Sequence, residues 1–161
     1  MSRLDSVIRR LTAQRAGLNW AAEQLGDAPG DVLELGLGNG RTYDHLRSLM
    51  PNRRIWVIDR NLNCHPACVP SADEFLQGDA DAMLIKLSEG GPRLSLAHYD
   101  LGTGVKEADR EISKVLSPLL AKSMRPGGVI VADQPLFGFE QLPEPSEIPE
   151  GRYMFYRQLQ T

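Results

Sequence analysis

Aromatic residues make up only 6% of the 161-residue chain, and there are just two cysteines. Two cysteines cannot form the disulfide framework of a small secreted domain. Cys64-His65-Pro66-Ala67-Cys68 has a metal-like spacing, but Pro66 disrupts a helix that would align its ends. No fourth ligand is nearby, and a structural zinc site takes four, so the pair reads as reduced thiols. A basic excess is also lacking: Lys plus Arg is 18 against 21 for Asp plus Glu, a net charge of −3. A nucleic-acid-binding domain normally carries a basic balance or stripe. The nearest approach, Arg3, Arg9, Arg10 and Arg15, falls at helical spacings and reads as a solvated face. Nucleic acid is therefore not an expected partner.

No apolar run approaches the roughly 18 residues of a membrane span. Met1 to Ser6 lacks the apolar stretch of a secretory signal. The expectation is a cytoplasmic protein with no membrane partner. Internal repeats and low-complexity tracts are absent. What remains, 42% hydrophobic and 24% charged, is the composition of a folded domain. One domain spanning residues 1–161 fits this length, and such a chain buries about 70% of its unfolded surface without a staple.

Residues 2–26 carry Leu4, Val7, Ile8, Leu11, Leu18, Ala21, Ala22 and Leu25 in helical steps, with Gly17 as a possible break. Gly26 to Gly30 is a stop and a turn. Asp31 to Leu35 then reads as a strand buried on both faces, Thr42 to Met50 as a helix, and Arg54 to Asp59 as a second strand. A weaker strand over Glu74 to Gln77 precedes a helix from Asp79 to Ser88. Leu94 to Tyr99 is a fourth strand, Lys106 to Met124 a long helix, and Val129 to Asp133 a fifth strand after Gly127-Gly128. A proline-rich tail ends in an aromatic strand, Arg152 to Leu159. Alternating strands and helices predict an α/β fold: a doubly wound, mostly parallel sheet with helices on both faces and one or two C-terminal antiparallel strands. The domain divides into an N-terminal helical segment (1–26), a ligand-binding core (31–133) and a C-terminal segment (134–161). Ligands of such sheets bind outside the carboxyl ends of the strands. Glu34, Asp59, Asp100 and Asp133 stand at or near four strand ends and Asp79 at the third, so all are expected on one rim.

Glu34-Leu35-Gly36-Leu37-Gly38-Asn39-Gly40 follows a strand and opens a helix. Glycines there let the backbone turn sharply and approach a ligand closely. A dinucleotide site would carry Gly-x-Gly-x-x-Gly, but Arg41 occupies the place of the third glycine. The spacing acidic-x-Gly-x-Gly-x-Gly instead resembles the first motif of the class I S-adenosylmethionine-dependent methyltransferases. The resemblance runs in order along most of the chain, through Asp59, Gly78-Asp79-Ala80, Leu94 to Asp100 and Gly127 to Asp133. It implies S-adenosyl-L-methionine as cofactor, held by Glu34, Gly36, Gly38, Gly40, Arg41, Asp59, Asp79, Ala80 and Asp100. Asp59 would accept both ribose hydroxyls, and Asp79 with Ala80 would hold the adenine. Arg41 would pair with the cofactor's carboxylate, and Glu34 and Asp100 would face its positive charge. For Asp79 the alternative role is the N-cap of the following helix.

Methyl transfer is an in-line displacement, in which alignment and exclusion of water do most of the work. A base is needed only when the nucleophile arrives protonated. Asp100 is the candidate catalytic residue. The segment His98-Tyr99-Asp100-Leu101-Gly102-Thr103-Gly104 departs from the Asn/Asp-Pro-Pro-Tyr/Phe pattern of many amino-group methyltransferases, and no Pro-Cys pair of a cytosine C5 enzyme is present. A small-molecule acceptor is therefore preferred over a protein. Asp100 with Asp133-Gln134 is similar to the metal-binding pattern of catechol-type O-methyltransferases. Gln134 replaces an Asn, however, and Thr103 stands where a lysine is expected, so no metal ligand is assigned. The alternatives are a metal-assisted O-methyltransferase and a non-catalytic S-adenosylmethionine-binding module. The shortness of the chain leaves no room for a cap, and from this a homo-oligomer is expected.

Overall fold

The computed structural model describes residues 1–160, so Thr161, the last residue of the C-terminal segment, lies outside it. The first helix, α1 (Arg3–Leu25), opens on a reciprocal cap. The Ser2 hydroxyl accepts from the Asp5 N–H at 3.0 Å, and the Asp5 carboxylate accepts from the Ser2 N–H at 3.1 Å. Gly17 does not break α1. It is a packing notch, where an added Cβ would lie 3.4 Å from Val131 and 3.6 Å from Phe155. The apolar stripe is covered only from Ala13 onward, and Leu4, Val7 and Ile8 stay exposed at 68%, 43% and 54%.

The remaining elements follow in order: β1 (Asp31–Leu35), α2 (Arg41–Leu49), β2 (Ile55–Asp59), a 3-10 turn (Pro66–Cys68), β3 (Phe75–Gln77), α3 (Ala80–Ser88), β4 (Leu94–Tyr99), α4 (Lys106–Ser123), β5 (Met124–Ala132), β6 (Glu140–Leu142) and β7 (Met154–Arg157). Among the described residues the strands form one seven-stranded sheet, ordered β3-β2-β1-β4-β5-β7-β6. β1 to β5 pair in parallel, while β7 runs antiparallel to both β5 and β6.

Side chains of the central strands alternate between two cores. Val32, Leu96, Val129 and Val131 pack beneath α1 and α2, with Leu18, Leu46 and Phe155. Leu33, Leu35, Ala97 and Ile130 pack beneath α3 and α4, with Leu84, Leu116 and Leu120. Burial on both faces explains the near-continuous apolar runs of these strands. Two boundaries differ from the sequence reading. β5 begins at Met124, because Met124 already pairs with Leu94 across the ladder. β6 forms within the proline-rich tail by pairing Glu140 to Leu142 with β7. Strand order reverses between β1 and β4, which opens a crevice above their carboxyl ends.

Candidate active site

The loop from β1 to α2 crosses this crevice. Gly36 takes a left-handed φ of +95°, and a Cβ there would collide with the Asp100 carbonyl oxygen. Gly36 therefore lets β1 and the end of β4 lie side by side. Gly38 has φ +52° with nothing within 4 Å of a notional Cβ, so it faces open space. The Asp59 carboxylate holds this loop: its Oδ2 accepts the Leu37 N–H at 2.8 Å and the Gly38 N–H at 3.3 Å. Its Oδ1 accepts the Asn61 N–H at 3.2 Å.

Two cavities flank the loop. The larger, about 690 Å³, lies over the ends of β2 and β3 and is lined by Asp59, Arg60, Gly78, Asp79, Ala80, Leu101, Ile112 and Val115 among others. Asp79 sits at the N-terminus of α3 but makes no capping hydrogen bond; its carboxylate instead pairs with the exposed Arg60 guanidinium at 2.8 Å. The smaller cavity, about 160 Å³, is lined by Gly36, Gly38, Gly40, Arg41 and Asp100, together with Arg10 and Gln14 from α1. Gln14 donates to the Asp100 carboxylate at 3.3 Å.

Glu34 does not reach the rim. It lies one residue inside β1, opposite His98 of β4, and both side chains are fully buried with Glu34 Oε1 2.6 Å from His98 Nδ1. Burial alone would lower the His98 pKa, but the Glu34 carboxylate, helped by Asp100 and Asp133, raises it to about 9. Burial pushes the Glu34 carboxyl up, against the pull of His98. The two groups thus share a proton across a short contact, kept from water. Tyr153 stacks on the imidazole at 5.9 Å between ring centroids. Asp133 follows β5 and accepts the Gly102 N–H at 2.9 Å. Burial, then the neighbouring Asp100 charge, raises its pKa to about 7. Among the described residues, no group of three or more His, Cys, Asp and Glu side chains is arranged to hold a metal ion.

A family model described as S-adenosyl-L-methionine methyltransferase matches residues 1–158. The chain belongs to this family. The crystal structure of an S-adenosyl-L-methionine methyl transferase from Silicibacter pomeroyi DSS-3 superposes with a TM-score of 0.90 at 38% identity, covering 98% of this chain and 99% of that one. Two further structures share the methyltransferase fold at lower identity. TrmN from Thermus thermophilus gives a TM-score of 0.64 at 20% identity, over 91% of this chain and 48% of that one. Burkholderia thailandensis 1,6-didemethyltoxoflavin-N1-methyltransferase, with bound 1,6-didemethyltoxoflavin and S-adenosylhomocysteine, gives 0.59 at 16%, over 91% and 78%. No curated protein matches the chain significantly. The methyltransferase is therefore an enzyme that uses S-adenosyl-L-methionine, on a doubly wound, mostly parallel sheet. No described helix is long and apolar enough to cross a membrane.

The predicted residues around the methyltransferase crevice divide into three groups. Asp59, Asp79 and Ala80 line the larger cavity; Gly36, Gly38, Gly40, Arg41 and Asp100 line the smaller. Glu34 lies beneath both, with neither of its oxygens exposed. Sequence reasoning missed Arg10, Gln14, Arg60 and Tyr153. Gln14 left a signal, as a polar residue within the buried stripe of α1, one turn from Leu18. Tyr153 left none beyond its aromaticity, because its position depends on how the tail folds back along β5.

Proposed function

We propose that the cofactor spans the two cavities, with its adenosine in the larger and its methionine end in the smaller. The observation that carries this reading is the Asp59 carboxylate, which lines the larger cavity and accepts the N–H groups of Leu37 and Gly38, which line the smaller. Asp59 takes the ribose hydroxyls, and Asp79 and Ala80 take the adenine edge. Arg41 and Arg10 converge on the cofactor's carboxylate, and the exposed N–H groups at the start of α2 favour the same negative charge. Asp100 faces the positive charge of the sulfonium, and Glu34, paired with His98 beneath the crevice, ties together the strand ends that carry Asp100 and the glycine loop. The bound cofactor supplies an electrophilic methyl group.

The acceptor in this proposal is a small molecule. Its supports are the net charge of −3, which disfavours a nucleic-acid backbone, and the narrow polar cavity beside Asp100. The enzyme acts in the cytoplasm, where the free thiols of Cys64 and Cys68 stay reduced. It acts as a homo-oligomer, supported by the uncovered Leu4, Val7 and Ile8 on α1. Calorimetric titration with S-adenosyl-L-methionine tests the cofactor site. Binding that Arg41→Ala and Arg10→Ala each weaken supports it, and absence of binding at millimolar cofactor overturns it. Light scattering on the eluted protein tests the oligomer, with a monomer as the contrary result.

A further inference from the structure

A second loop shapes the crevice. The segment from Asp100 to Val105, between β4 and α4, gives Asp100 to the smaller cavity and Leu101 and Thr103 to the larger. It belongs to no strand or helix, and Gly102 to Val105 are exposed. Gly104 takes a left-handed φ of +90°. Such a segment keeps one shape only where other groups hold it against its conformational entropy. Two carboxylates do so. Asp133, after β5, accepts the Gly102 N–H. Asp109, in the first turn of α4, holds the next two residues. Its Oδ1 accepts the Thr103 N–H at 2.9 Å and the Thr103 hydroxyl at 2.7 Å. Its Oδ2 accepts the Gly104 N–H at 3.2 Å and shares the Thr103 N–H at 3.1 Å. The Thr103 hydroxyl in turn accepts the Val105 N–H at 3.3 Å. Asp109 is only 3% exposed. A buried carboxylate is costly unless its oxygens are filled, and here the loop fills them.

Resting on the cofactor placement proposed above, we infer that Asp109 is a positioning residue for the adenosine half of S-adenosyl-L-methionine. It lines neither cavity and acts through Leu101 and Thr103, which line the larger one with Asp59, Asp79 and Ala80. Asp100 is fixed separately, by its own N–H bonded to the Leu35 carbonyl at 3.0 Å, so the methionine end does not depend on Asp109. The arrangement repeats the one across the crevice, where the Asp59 carboxylate accepts two N–H groups of the glycine loop. Each loop carries glycines, whose backbone preference alone does not set a shape. In each, a carboxylate from another element sets it before the cofactor arrives, so little binding energy goes into ordering the loop. Ionised Asp109 is a pure acceptor facing three donors, the Thr103 N–H and hydroxyl and the Gly104 N–H. Asn at this position keeps the size but offers one oxygen and an amide N–H₂, which leaves donors facing donors.

Calorimetric titration of the full chain with S-adenosyl-L-methionine and with 5′-methylthioadenosine, which keeps the adenosine but lacks the amino-acid end, tests this role. Asp109→Asn is expected to weaken both ligands by the same factor, about tenfold or more, as for lost hydrogen bonds to a charged group. Arg41→Ala should weaken S-adenosyl-L-methionine alone. Leu25→Ala, buried at the far end of α1, is the structural control: its Tm falls, and it should bind both ligands as the wild type does. If Asp109→Asn does not fold, Gly104→Ala decides. Its methyl meets no atom, but φ +90° is disfavoured for it, so the exposed loop shifts while the core stays, and both ligands should weaken. Unchanged affinity in the folded variant, a loss confined to S-adenosyl-L-methionine, or an equal loss in Leu25→Ala would overturn the inference. Failure of the wild-type chain to bind either ligand instead overturns the cofactor site itself.

Discussion

At the scale of single residues, Asp59 is asked to do two things. Its Oδ2 already accepts two N–H groups of the glycine loop and its Oδ1 that of Asn61, while the residue lines the larger cavity. Asp59→Ala should weaken S-adenosyl-L-methionine binding by about 1–3 kcal/mol, the loss expected for hydrogen bonds to a charged group. An unchanged dissociation constant by calorimetry would remove the ribose assignment. Glu34 and His98 make a sharper case because neither touches solvent. Removing one member leaves the other buried and uncompensated. His98→Ala is expected to lower the free energy of unfolding by about 3–5 kcal/mol, read from urea denaturation. A double replacement, Glu34→Met with His98→Leu, should lie closer to wild type than either single replacement. If the double loss instead equals the sum of the single losses, the two do not act as a pair.

At the scale of elements, two glycines of one loop should respond differently. Gly36→Ala drives a methyl group into the Asp100 backbone, so the ends of β1 and β4 must part and the chain should fail to accumulate as folded protein. Gly38→Ala meets no atom and carries only the left-handed penalty, about 1–2 kcal/mol. It should fold, with a small drop in Tm by circular dichroism, and lose most of its cofactor affinity because the added methyl faces the crevice. Equal behaviour of the two variants would show that neither glycine is set by its surroundings. The same loop shows why so much of the fold could be read in advance. A buried strand ending in glycines followed by a helix is a local pattern, and it located β1, α2, β2, α3, β4 and α4 within a residue or two. The readings that failed were non-local. Gly17 looked like a helix break because the side chains of Val131 and Phe155, more than a hundred residues away, supply the reason for a glycine there. Glu34 looked like a rim residue because nothing in its own segment reveals that His98 lies opposite it in the neighbouring strand. Arg10 and Gln14 reach the crevice only because α1 crosses the sheet above β4 and β5.

At the scale of the whole molecule, these buried charges shape how stability depends on pH. Burial raises the Asp133 pKa in the folded chain from its ordinary 3.8 to about 7. A carboxyl raised in the folded state contributes stability that is full below the unfolded pKa and is lost as pH rises through the folded one. His98, raised from 6.5 to about 9, follows the same sign: its contribution is full below 6.5 and lost as pH climbs through 9. Asp109 opposes them at the acid end. Burial would raise its pKa, but hydrogen bonds from Thr103 and Gly104 hold it below 3.8, so its contribution is lost only as pH falls beneath that value. The ligand-free protein should therefore be most stable near pH 4. Its Tm should then fall in two stages, one between about pH 4 and 7 and one between about pH 6.5 and 9. Calorimetric scans from about pH 4 to pH 10 separate the two groups. Asp133→Asn should flatten the first stage, lying a few degrees above wild type at pH 8 and nearly level with it at pH 4. His98→Gln should remove the second stage at the cost of a lower Tm throughout. A Tm that rises between pH 5 and pH 8 without ligand would mean that burial does not raise the Asp133 pKa in the folded chain.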